Sequence, residues 1–235
     1  MRGPVALVGA GEFLSAMDGF DRALLEATGR DRARVAILPT ASFPDGEDVF
    51  QRWIAMGVAH FTGLGAEVEP VLVRDRAAAD DPAACQAVGE ADLVYLSGGK
   101  PGHLVDALVG TRLGRALDEA SARGAVLVGC SAGAMVLAGH AFGFRFRVLP
   151  WLLLWRPGLD IVPGVSVVPH YDAWPEPLSA LIALQSPRGS VVLGIDENTG
   201  VVGHDGAWQV HGSARVTIWR GRHRERYRAG DTFRL

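Results

Sequence analysis

The sequence predicts an α/β fold: a mostly parallel sheet sandwiched by helices, with antiparallel strands added near the C-terminus. Two observations predict it. In the first half, short β-branched runs alternate with amphipathic segments, as when strands cross over through helices into one sheet. From Ile161 onward the apolar runs are parted by glycines and polar turns, which is hairpin punctuation. With 235 residues the chain is long enough to bury a large core, and one domain spanning 1–235 is expected.

Residues 4–8 read as the first strand, closed by the turn Gly9-Ala10-Gly11-Glu12. Residues 20–28 are helical. Residues 34–38 form a strand ending in Pro39-Thr40-Ala41-Ser42. Residues 47–64 make a long helix, because Phe50, Ile54, Val58 and Phe61 recur on one face at 3.6 spacing. A strand at 67–73, a short helix at 82–88 and a strand at 92–96, ending in Ser97-Gly98-Gly99, follow. Residues 104–123 are helical, with Gly110 as a break point. The strand at 125–128 then breaks at Gly129, and a small-residue helix starts at Ala132. Strands are expected at 165–168, 191–194, 200–202, 208–209 and 216–220, adding to one edge of the sheet. The apolar stretch 148–155 is interrupted by Pro150 and bounded by Arg147 and Arg156. It reads as a loop or short helix near the site, or as an interaction patch.

Composition narrows the function classes. Hydrophobic residues make up 49% and charged residues 21%, ordinary values for a globular chain. A net charge of −3 and a pI near 6.2 point neither to nucleic acid nor to an anionic membrane surface. Cys85 and Cys130 are too few for a disulfide framework and read as reduced thiols. The N-terminal apolar run is too short for a signal-peptide core, and no window approaches the roughly 20 apolar residues of a membrane span. A cytoplasmic protein is expected.

Sites in open α/β sheets form beyond the carboxyl ends of the strands. The turns at 9–12, 40–43, 98–100, 169–172 and 196–199, together with Ser131, should therefore converge. Gly129-Cys130-Ser131-Ala132-Gly133 fits the G-x-S-x-G nucleophile elbow, which lifts a serine hydroxyl above the sheet between a strand and a helix. That hydroxyl needs a base. Among seven histidines, His170 stands out because an apolar strand delivers it after Pro169. Asp160, Asp172, Asp196 and Glu197 are all candidates to orient it. The Ala132 N–H, with Gly98 and Gly99, offers an oxyanion hole. The first turn, G-A-G-E-F-L, lacks the third glycine of G-x-G-x-x-G, so no dinucleotide cofactor is expected. Neither H-E-x-x-H spacing nor a Cys/His cluster is present, so no metal is expected either.

In order along the chain, L-P-T-A-S, Y-L-S-G-G, V-G-C-S-A-G-A, V-P-H-Y and G-I-D-E-N-T resemble the motifs of the S51 serine peptidases, the family of cyanophycinase and the α-aspartyl dipeptidase peptidase E. More broadly the chain looks like the class I glutamine amidotransferase fold, with a flavodoxin-like core. The resemblance implies Ser131 as nucleophile and His170 as general base. In the cyanophycinase branch the third member is the glutamate of G-I-D-E, here Glu197. Peptidase E uses an aspartate soon after the nucleophile, and this chain has none between Ser131 and Arg147. Glutamine amidotransferases place a cysteine at the elbow, whereas Cys130 stands one residue too early. Lys100 and Pro101 after the paired glycines depart from both branches, so neither specificity transfers. Lys100 is a candidate for a substrate carboxylate, alongside Asp172 and Asp196 as further candidate substrate-binding groups. The resemblance implies a small peptide substrate and a homodimer. An amidase or esterase of the same fold, or a silent metabolite-binding protein, is the alternative.

Overall fold

The computed structural model describes residues 2–144 and 153–235. Strands and helices alternate through the first half. β1 (Val5–Val8) leads to α1 (Asp18–Ala27), β2 (Arg34–Leu38) to α2 (Glu47–Gly63) and β3 (Glu67–Pro70) to α3 (Pro82–Glu90). Next come β4 (Leu93–Leu96), α4 (Pro101–Leu108), α5 (Arg112–Arg123), β5 (Val126–Cys130) and α6 (Ala132–Leu137). The second half is mostly strand: β6 (Ala138–Phe144), β7 (Leu153–Pro157) and β8 (Val162–Val168), then α7 (Glu176–Leu184) and β9 (Val191–Ile195). β10 (Thr199–His204), β11 (Ala207–Gly212), β12 (Arg215–Arg220), β13 (His223–Arg228) and β14 (Thr232–Arg234) complete it.

These strands form two sheets. In the first, of order β14-β11-β10-β1-β5-β4-β2-β3, the five strands from β1 to β3 run parallel. β10, β11 and β14 extend it antiparallel beyond β1. Side-chain alternation gives this sheet two buried faces. Ala6, Val8, Val126 and Val128 pack with Phe20 and Leu24 of α1 and Phe61 of α2. Leu7, Leu38, Leu96 and Leu127 pack with α3, α4, α5 and the second sheet. That second sheet has the order β13-β12-β9-β8-β6-β7, with β8 parallel to β6 and β9. The expectation of additions at one edge is thus corrected: β10, β11 and β14 obey it, while β12 and β13 join β9 in another sheet.

Other features have local causes. The 104–123 segment does break at Gly110, as expected: that residue sits at φ +75° between two helices, and the Thr111 hydroxyl caps α5 by accepting the Gly114 N–H. The helix after Ser131 lasts six residues, because Ala138 already pairs with β8 and the residues from His140 pair with β7. The stretch expected to be a loop or short helix lies outside the described residues from 148 to 152. Its end, Leu153–Trp155, belongs to strand β7. No helix among the described residues is long and apolar enough to cross a membrane.

Candidate active site

β5 is buried along its whole length and ends beneath Ser131. Ser131 adopts φ 50°, ψ −110°, a sparsely populated region for a non-glycine residue. The turn is held by the Ser131 N–H donating to the Val8 carbonyl and by the Met135 N–H donating back to the Ser131 carbonyl. It closes only because Gly133 lacks a side chain: a Cβ there would lie 2.2 Å from the Leu96 carbonyl oxygen.

Two strands of the second sheet deliver the partners. β8 ends at Val168, and after Pro169 His170 sits in the left-handed region at φ 49°. β9 ends at Ile195 and is followed by Asp196 and Glu197. His170 Nε2 lies 3.1 Å from Ser131 Oγ, and Nδ1 lies 2.8 Å from Glu197 Oε1. The consistent proton assignment has Nδ1–H donating to Glu197 and Nε2 accepting the serine hydroxyl. His170 and Glu197 are both partly open to solvent, at 41% and 48% exposure. Water therefore screens their pair, and its strength is below that of a buried one.

The remaining carboxylates separate by position. Asp172 Oδ1 accepts the Glu197 N–H at 3.0 Å, so it steadies the turn that carries Glu197 and does not meet the imidazole. Asp196, expected as a substrate-binding group, is buried, and its carboxylate is engaged by Arg215. Its carboxylate accepts the Arg215 N–H and lies 3.4 Å from Arg215 Nε. Burial, reinforced by the nearby Asp172 charge, pushes the Asp196 carboxyl above its ordinary range. Asp160 precedes β8, roughly 20 Å of strand from His170, too far to orient it. Lys100 is exposed and its Nζ lies 3.1 Å from Asp45 Oδ1.

The oxyanion hole also differs from expectation. The Gly98 N–H donates to Glu12 Oε1 at 2.8 Å and is therefore taken. The N–H groups of Gly99 and Ala132 have no partner among the described residues. Glu12 is the participant that sequence reasoning missed. In sequence its turn is one strand-end loop among several, yet the side chain is buried beside the elbow and its Oε2 accepts the Cys130 thiol at 2.9 Å. Burial, then the Glu12 charge, pushes the Cys130 thiol well up, so Cys130 is a buried neutral neighbour of Ser131. Among the described residues, no three His, Cys, Asp or Glu side chains cluster as a metal ion would need.

A nucleophile elbow at the carboxyl edge of a parallel sheet, with a histidine and a carboxylate lined up behind its serine, defines an enzyme of the hydrolase class. The comparisons place it within that class. The model of peptidase family S51 matches residues 5–211, and the chain belongs to that family. A cyanophycinase from Geminocystis herdmanii (strain PCC 6308) is 31% identical over 192 residues, covering 79% of this chain and 69% of the relative. The crystal structure of a peptidase from an acI-B1 Actinobacterium superposes with a TM-score of 0.89 at 33% identity, covering 100% of this chain and 98% of that one. A putative peptidase E from Listeria monocytogenes EGD-e shares the fold, with a TM-score of 0.63 at 17% identity over 91% of this chain and 100% of its own. The protein is a peptidase.

Proposed function

We propose that the protein is a serine-type peptidase that cleaves a peptide or isopeptide bond in a small peptide or at the end of a peptide polymer, through an acyl-enzyme on Ser131. The observation that carries this reading is the unbroken chain from Ser131 Oγ through His170 to Glu197, at 3.1 and 2.8 Å. His170 Nε2 takes the hydroxyl proton as Ser131 Oγ bonds to the scissile carbonyl carbon. The carbonyl π electrons move onto oxygen, where the Gly99 and Ala132 N–H groups are the donors at hand. Collapse of the tetrahedral intermediate expels the amine, which receives the proton from His170. Water, deprotonated by the same imidazole, then attacks the acyl carbon and frees Ser131. Glu197 accepts the hydrogen bond from Nδ1–H throughout, fixing the tautomer and stabilising the imidazolium.

The cyanophycinase among its relatives makes cyanophycin and other aspartyl-containing substrates the first to test, although Lys100 and Pro101 keep that specificity from transferring directly. Lys100 itself supports an acidic substrate: it directly follows the paired glycines and is exposed enough to exchange Asp45 for a substrate carboxylate. Both cysteines are free thiols, which fits the cytoplasm as the site of action. The test is a panel of aspartyl dipeptides and cyanophycin, given to wild type, Ser131→Ala and Lys100→Met. Wild type should turn over at least one substrate and Ser131→Ala none. Lys100→Met should raise KM for that substrate with kcat held. Turnover by Ser131→Ala at the wild-type rate would refute the mechanism.

A further inference from the structure

Glu12 lies on the turn after β1, buried, and stands outside the Ser131–His170–Glu197 chain. Its two oxygens serve two different segments. Oε1 accepts the Gly98 N–H, at the start of the paired-glycine turn after β4, and Oε2 accepts the thiol of Cys130, the residue before Ser131. One side chain thus joins the ends of β1, β4 and β5 at the nucleophile. A Cβ added to Gly98 would lie 2.6 Å from Glu12 Oε1 and 3.2 Å from the Ser131 Cβ. A carboxylate is costly to bury unless its oxygens are hydrogen-bonded, and here both are.

The far side of the same turn is fixed as well. The Lys100 N–H donates to the Ala41 carbonyl at 2.7 Å, and Gly99 lies so close that a Cβ on it would fall 2.3 Å from that carbonyl oxygen. The turn is held by Glu12 on one flank and by Ala41 on the other. Between the two anchors, the Gly99 N–H is left without a partner among the described residues.

On the premise that Ser131 is the nucleophile, we propose that Glu12 is a positioning residue for the oxyanion hole. It occupies the Gly98 N–H and clamps the turn to the elbow, so that Gly99 and Ala132 present the two donors to the tetrahedral intermediate. Donors fixed in advance need no reorganisation when charge develops, and a drift of about 1 Å costs roughly 10²-fold in rate. The role is geometric: it depends on reach and on an acceptor for Gly98, and the negative charge is not needed.

Two variants separate reach from charge. Glu12→Gln keeps the length and an acceptor oxygen for Gly98 and loses the charge. Glu12→Asp keeps the charge but is one methylene too short to span Gly98 and Cys130. The readout is the rate of phosphonylation by a fluorophosphonate, followed by intact mass across reagent concentrations, on protein shown to be folded by circular dichroism. Glu12→Asp should lower the maximal labelling rate by about 10²-fold with the half-saturating concentration unchanged, and Glu12→Gln should stay within about threefold of wild type. Wild-type labelling by Glu12→Asp would overturn the proposal. So would a Glu12→Gln variant as slow as Glu12→Asp, or an effect confined to half-saturation. If wild type itself fails to label, as Ser131→Ala should, the nucleophile reading fails, an outcome distinct from failure of the Glu12 variants alone.

Discussion

In the proposed mechanism Ser131 depends on its neighbours for reactivity, and the geometry gives each of them a distinct place. His170 is held in a left-handed conformation with Nε2 beside the hydroxyl, and Glu197 accepts the hydrogen bond from the opposite ring nitrogen. Because Glu197 is half exposed, its loss should cost less than the ~10⁴-fold seen when a buried orienting carboxylate is neutralised. Glu197→Gln is expected to lower kcat by about 10- to 100-fold, and His170→Ala by about 10²- to 10⁴-fold, with KM little changed in either. Steady-state kinetics on the best substrate of the aspartyl panel would check the ranking; equal losses would mean that Glu197 does more than orient the ring. Ser131 and His170 were legible in the sequence because the elbow pattern and the strand before Pro169 mark strand ends. Glu197 was singled out only with the help of a family resemblance, since four carboxylates competed on residue grounds alone. Glu12 was not legible, because its partners lie 86 and 118 residues away and only the folded sheet brings them together.

The elbow is one element in which packing leaves no room for variation. Gly133 meets the Leu96 carbonyl so closely that Gly133→Ala should destabilise the protein by about 3 kcal/mol or more, since neither backbone is free to retreat. Gly63, at the last position of α2, has nothing within 4 Å of its would-be Cβ. Gly63→Ala should therefore stabilise by about 0.5 kcal/mol through the unfolded chain. Urea denaturation of both variants measures the contrast, and similar values for the two would contradict the close approach at the elbow. At this scale the sequence was most informative where strands are buried on both faces. β4 and β5 read as apolar runs and are buried throughout. β13, with the sequence H-R-E-R-Y-R, carries no apolar alternation. It is an edge strand whose one ladder partner among the described residues is β12, with Tyr227 packed on the core. The six-residue limit of α6 was equally hidden, being set by sheet pairing of the following segment.

Over the whole molecule, the two sheets converge on the site from separate directions. The first supplies Glu12, the Gly98–Gly99 turn and Ser131, and the second supplies His170 and Glu197. The parallel half of the first sheet was legible from its alternation with helices. The division of the C-terminal strands was not, because sheet membership is decided by pairing partners and not by the strands' own residues. Long-range ties also set the response to acid. Glu47, at the start of α2, makes a two-pronged bond to Arg74 after β3, which holds its carboxyl down to about 2 from an ordinary 4.5. A carboxyl with a depressed folded pKa stabilises fully above its unfolded value and loses that contribution as pH falls toward its folded one. Glu47→Gln should therefore be less stable than wild type at pH 6, with the gap closing between pH 4.5 and 2 and narrowing in high salt. A gap that stays constant with pH would show that the pair adds nothing.

In the proposed mechanism the fold makes one serine, Ser131, nucleophilic. Intact-mass spectrometry after exposure to a fluorophosphonate, with wild type and Ser131→Ala side by side, tests it most directly. One adduct on wild type, mapped to Ser131 and missing from the variant, is the predicted result. Equal labelling of both proteins, or none on a wild type with an open pocket, would contradict it.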